Sequence, residues 1–158
     1  MTQIEMIAKF GNPMVDRVNF ERKWMTLVET DKWDRVIKPL PSSVYMNRLL
    51  VEPFTKVMDQ LLFSDLYKEI KTWDGCFNVR YQRGSRTVLS RHSWGLAVDL
   101  NAAWNPLVRV TPLTRTMMRR KHVQWSERFL QVWRNEGFEC GADWKDSLDG
   151  MHFELKVS

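Results

Sequence analysis

Three short stretches of this chain change character with every residue, and that period of two constrains the fold more than any other feature of the sequence. Phe77, Val79 and Tyr81 alternate with Asn78, Arg80 and Gln82; Leu96, Val98 and Leu100 with Ala97, Asp99 and Asn101; Met151, Phe153 and Leu155 with His152, Glu154 and Lys156. Successive side chains of a strand point to opposite faces, so each stretch is expected to be a half-buried strand with one apolar and one polar face. If the strands around Asp99 and His152 share a sheet, their apolar residues pack together, and Asp99 and His152 meet on the other side. Arg80 falls on the polar face of its own strand.

Helical spacing surrounds these stretches. Phe54, Val57, Met58, Leu61 and Leu62 predict a helix of about three turns with Pro53 in its first turn, and a second short helix is expected over Leu66 to Ile70. Thr114 to Asn135 is expected as one amphipathic helix through Val123, Phe129, Leu130 and Trp133, closed by Gly137. Helices near both ends of a small antiparallel sheet predict an α+β fold, the sheet packed by helices. A length of 158 residues without repeats or Ser/Gly-rich linkers predicts a single domain over residues 1–158. An apolar content of 44%, with eight Trp and eight Phe, suffices for one core.

Twenty-four Lys and Arg against nineteen Asp and Glu leave a net charge of +5, which draws the chain toward polyanions: nucleic acid, anionic membrane surfaces or cell wall. No nucleic-acid-reading motif accompanies the charge, so no specific nucleic-acid partner is expected. The run RTMMRRKH at 115–122 is read as a solvated face in preference to a docking patch for an anionic wall or outer membrane. The opening MTQIEMIAKFGNPMVDRV lacks a basic segment followed by an unbroken apolar run, so synthesis as a soluble cytoplasmic product is expected. Cys76 and Cys140 belong to no close Cys pair and are expected to be ordinary, partly buried thiols.

The chemistry gathers on the polar faces. His92 lies just upstream of Gly95 in an expected turn, from which it can reach over Asp99 and His152. Two imidazoles and a carboxylate suit Zn2+, with nitrogen and oxygen donors at about 2.0–2.2 Å and a fourth position left to water, the pattern of a catalytic site. A general base is then required. Asp149, three residues before His152, is preferred, since Gly150 is expected to let the backbone turn its carboxylate over the metal. Asp146 and Glu154 are rivals, the first further from the ligand and the second one pleat along the strand.

SRHSWGLAVDLN, residues 90–101, resembles the first signature of the metallopeptidase family that contains D-Ala-D-Ala dipeptidases, D,D-carboxypeptidases and phage L-alanyl-D-glutamate endolysins. DGMHF, residues 149–153, resembles its second signature, and NVRYQRGS, residues 78–85, is similar to the family's strand and arginine-bearing loop. The resemblance covers the second half of the chain. It implies a Hedgehog/D,D-peptidase-like fold, Zn2+ held by His92, Asp99 and His152, and Asp149 as catalytic carboxylate. Many relatives carry glutamate at that last position, and the shorter aspartate calls for a closer backbone or a bridging water.

The resemblance further implies a peptidoglycan peptidase acting on stem peptides. The expected enzyme is a phage endolysin without a separate wall-binding module, monomeric, made in the host bacterial cytoplasm and acting in the periplasm or cell wall after release. A D-Ala-D-Ala carboxypeptidase or dipeptidase is the alternative, and an inactive zinc-bearing wall-binding or virion module is an alternative of another class. Arg80 is expected to receive a substrate carboxylate by a bidentate contact. Ser90, two residues before His92 in the signature, is expected to contact the substrate or support the metal ligands. Trp94 and Trp104 flank the metal-binding strand and are expected to line a groove. His122 is expected to be structural.

Overall fold

The computed structural model describes residues 1–158. Helix α1 (Gln3–Phe10) opens on a reciprocal cap, in which the Thr2 hydroxyl accepts from the Glu5 amide while the Glu5 carboxylate accepts from the Thr2 amide. Helix α2 (Arg17–Trp24) is capped by Asp16 and runs directly into strand β1 (Met25–Glu29). After the single turn α3 (Asp31–Asp34), strand β2 (Ser43–Asn47) returns antiparallel to β1.

Helix α4 (Arg48–Phe63) begins five residues earlier than the sequence spacing predicts, leaving Pro53 inside it. Asn47 sets the true start, its side-chain oxygen accepting from the Leu49 amide at 3.0 Å. Pro53 therefore has no N–H to give to the Leu49 carbonyl. The helix persists because Leu50, Phe54, Val57, Met58 and Leu61 are all buried. The expected short helix is present as a 3-10 turn over Leu66–Glu69.

Strand β3 (Trp73–Gly75) comes next, and the strand predicted over residues 76–82 does not form. That segment runs alongside a 3-10 turn, Arg91–Trp94, which offers no ladder of regularly spaced groups. Its amides go elsewhere, that of Asn78 to the His92 carbonyl and that of Arg80 to the Ser93 hydroxyl, and a single bridge joins Tyr81 to Leu89.

The remaining elements are β4 (Ala97–Leu100), β5 (Leu107–Arg109), α5 (Arg115–His122), α6 (Glu127–Asn135), β6 (Phe138–Cys140), β7 (Ser147–Asp149) and β8 (His152–Leu155). The central sheet has the order β3-β4-β8-β6 with every pair antiparallel, and β5 pairs with β7 in a separate two-stranded sheet. The fold is thus α+β, as the periodicity predicts.

The helix expected over Thr114 to Asn135 is two helices. The break is tied on every side: the Gln124 amide donates to Asn105 Oδ1 at 2.6 Å, the Trp125 indole to the Gly150 carbonyl at 2.7 Å, and the Ser126 amide to Glu69 at 2.8 Å. The Ser126 hydroxyl then caps α6 at the Phe129 amide. Helix α6 lays Phe129, Leu130 and Trp133 against the sheet, where the Trp133 ring stacks on Phe153 at 4.3 Å. These residues belong to one cluster of 30 buried side chains that also takes in the buried face of α4 and the β1–β2 hairpin.

Candidate metal centre

In the β4–β8 ladder Asp99 stands directly opposite His152, so the polar faces anticipated from alternation do coincide. His92 comes from the 3-10 turn Arg91–Trp94. Ser90 caps that turn, its hydroxyl accepting from the His92 amide at 3.4 Å, and Gly95 ends it in the left-handed region at φ 65°. A Cβ on Gly95 would lie 2.9 Å from the Asn47 amide nitrogen and 2.7 Å from Met25, so only glycine lets the turn press against the β1–β2 hairpin.

One donor atom from each of His92, Asp99 and His152 lies within 4.8 Å of the others. His92 Nε2 sits 3.2 Å from His152 Nδ1 and 3.1 Å from Asp99 Oδ2, while His152 Nδ1 sits 3.1 Å from Asp99 Oδ1. The outward nitrogens are engaged too. His92 Nδ1 lies 2.7 Å from the Cys76 carbonyl and His152 Nε2 lies 2.9 Å from Glu154 Oε2. Acceptors on the outer nitrogens place N–H there and leave the inner lone pairs converging on one point, the arrangement of metal-ligating imidazoles.

Electrostatics agrees with that geometry. Burial works against a charge on His152, but its hydrogen bonds to Asp99 and Glu154 outweigh burial and raise its pKa to about 9. Asp99 is likewise buried, and its closeness to both imidazoles holds it well below the usual carboxylate range. A proton shared among these groups occupies the place a cation would take, and cation binding releases it.

Asp149 ends β7, outside the three-residue group. Its Oδ1 is buried without a hydrogen-bond partner, and burial raises its pKa against the attraction of His152. The charges of Asp99, Arg83 and His92 also reach it. Gly150 serves differently from the expectation: its φ is not positive, and what it supplies is room, since a Cβ there would meet the Asn105 Cβ at 3.0 Å. A second close approach fixes Asp149 itself, because a Cβ on Gly141 would fall 2.3 Å from the Asp149 carbonyl oxygen.

Of the rivals, Asp146 is exposed, and Glu154 lies behind His152 on its outer nitrogen. The Arg80 backbone is pinned by the Ser93 hydroxyl, and its guanidinium donates to the Tyr81 carbonyl at 3.3 Å. The charge that reaches Asp149 from this loop is that of Arg83. Trp94 is buried, its indole N–H donating to the Gly11 carbonyl, and it lines no groove. Trp104 packs under the Lys71 ammonium at 4.6 Å. The aromatic beside the site is Trp144, whose ring centroid is 5.3 Å from that of His152. His122 ends α5 and takes no part in the cluster.

A family profile described as D-alanyl-D-alanine carboxypeptidase matches residues 83–155. Over those residues the chain is similar to this family. No curated protein and no solved structure matches the chain. The matched segment contains Ser90, His92, Asp99, Asp149 and His152, whereas Arg80 precedes it by three residues. Residues outside the matched segment nonetheless shape the site, among them Cys76, whose carbonyl orients His92, and Asn47, whose backbone amide and side-chain Nδ2 donate to the Gly95 and Trp94 carbonyls at the back of the turn. Backbone acceptors of this kind leave no mark in side-chain spacing.

Proposed function

We propose that the chain is a zinc-dependent peptidoglycan peptidase that hydrolyses an amide of the stem peptide, with His92 Nε2, Asp99 and His152 Nδ1 as the metal ligands. The convergence of these donors, within electrostatic reach of the buried, partnerless carboxylate oxygen of Asp149, carries the reading. The donor set suits zinc: two neutral imidazoles, one carboxylate, and a coordination position to spare. Bound there, zinc acidifies water to a pKa of about 7 and polarises an amide carbonyl.

The chain's own residues do the rest. Asp149 Oδ1 takes a proton from the attacking water and gives it to the leaving amine nitrogen, so that one amide and one water become one carboxylic acid and one amine. Its raised pKa suits both halves of that transfer. Arg83 and Arg80, three residues apart in the chain, meet a carboxylate of the substrate. Ser90 acts through the turn it caps, holding His92.

The bond we favour is L-alanyl-D-glutamate, cut by a phage endolysin made in the host cytoplasm and released to the wall as a monomer. This rests on the resemblance of the 90–101 and 149–153 stretches. Release of terminal D-alanine is the second reading, favoured by the description of the matching family. Elemental analysis for zinc together with mass spectrometry of digested muropeptides tests both. Zinc at one per chain and a new N-terminal D-glutamyl product are expected. Free D-alanine as the sole product overturns the endopeptidase, and bound zinc without any turnover supports an inactive module instead.

A further inference from the structure

Glu154 has no part in the chemistry just described, yet it touches a metal-ligand candidate and links it to the start of the chain. His152 and Glu154 are alternate residues of β8 and project from the same face. Glu154 Oε2 accepts from His152 Nε2 at 2.9 Å, on the side of the ring opposite Asp99. Its other oxygen lies 3.4 Å from Arg91 Nε, and Arg91 Nη2 donates to the Met1 carbonyl at 2.5 Å.

Neither Glu154 nor Arg91 is an ordinary surface charge, with side chains only 17% and 20% exposed. Glu154 also faces Glu139 directly across the β6–β8 ladder. Carboxylates so opposed repel. Glu139 accepts instead from the Trp144 indole at 2.9 Å, leaving Glu154 to the imidazole and the guanidinium.

We propose that Glu154 is a positioning residue for the metal: by accepting the Nε2 proton it holds His152 with Nδ1 toward His92 and Asp99, and Arg91, moored to the carbonyl of residue 1, holds Glu154. The inference rests on the reading that His92, Asp99 and His152 bind zinc. Without Glu154 the ring has no partner for Nε2–H and no reason to prefer the orientation that points Nδ1 inward. The first helix takes part as well, since Gln3 donates to the Thr87 carbonyl and accepts from the Leu89 amide on the segment leading to Arg91.

The test is zinc affinity by chelator competition on the full chain, comparing wild type with Glu154→Ala, Glu154→Gln and Arg91→Met. Loss of such an outer partner costs on the order of 10- to 100-fold in metal affinity, and that is expected for Glu154→Ala. Glu154→Gln keeps an acceptor oxygen and is expected to recover most of the loss. Arg91→Met is expected to weaken binding several-fold. Cobalt-loaded Glu154→Ala is expected to shift its visible absorption, which a purely structural role would leave in place. Affinity of Glu154→Ala within about twofold of wild type overturns the proposal. If Glu154→Ala does not fold, unchanged affinity in Arg91→Met overturns it equally. A wild-type chain that takes up no zinc overturns the metal reading itself, a separate outcome.

Discussion

Replacing Asp149 by asparagine should make the protein inactive and slightly more stable. Its Oδ1 is buried with no partner, and burial raises its pKa above the ordinary carboxylate value of 3.8. For an acid, a folded-state pKa above the unfolded one means that folding penalises the charged form. The penalty is absent below the unfolded pKa, where both states are protonated, and complete above the folded pKa. A buried polar group without a partner costs about 1–3 kcal/mol. Asparagine leaves a polar atom in the same place and removes only the charge, which His152 and Arg83 already offset in part, so the expected gain is about 1 kcal/mol at most.

For a chain of this size that is a rise of no more than roughly 2–4 °C in Tm near neutral pH, shrinking as the pH falls toward 3.8. The amide cannot accept a proton, and hydrolysis should fall by about 10²–10⁴-fold with zinc retained. Thermal melts followed by circular dichroism, zinc analysis and muropeptide turnover measure the three quantities. Turnover at the wild-type rate removes Asp149 from the mechanism. A Tm several degrees below wild type refutes the account of its burial.

In the metal-free protein His152 carries the pH dependence. With its pKa raised from 6.5 to about 9, its charge stabilises the fold fully below pH 6.5, and that contribution is lost as pH rises through about 9. The Tm measured in chelator should fall over this interval, and His152→Ala should remove the slope together with zinc binding and activity. Gly141→Ala should destabilise the fold by about 1–3 kcal/mol, because the new methyl must push the Asp149 backbone aside. Denaturant melts check this, and a variant as stable and active as wild type contradicts the close approach.

The face that gathers Asp99 and His152 was readable because β4 and β8 are half-buried strands whose alternation survives in the sequence, and a direct Asp99–His152 pair is its consequence. The same alternation misled at residues 76–82, where the neighbouring chain is a turn and offers no regular ladder. Strands β5, β6 and β7 have three residues each, too few to display a period. The break between α5 and α6 depends on Asn105, Glu69 and Gly150, all distant in sequence. Trp94 was misplaced because adjacency to the metal strand says nothing of which way an indole points, and the acceptor that draws it inward is a backbone carbonyl at Gly11. Glu154 did carry a signal, its shared face with His152, but the side of the imidazole it meets depends on ring orientation.

Both cysteines are free and buried, so no covalent tie joins distant parts of this chain. His92 and His152 stand sixty residues apart and meet at 3.2 Å. A cation held between them closes that loop as a disulfide would, restricting the unfolded ensemble by about 4 kcal/mol in the chain-entropy model. Unlike a disulfide, such a cross-link is indifferent to the thiol redox state of its surroundings. It is removed by chelation, so that resistance to unfolding and catalytic competence would be withdrawn by the same reagent.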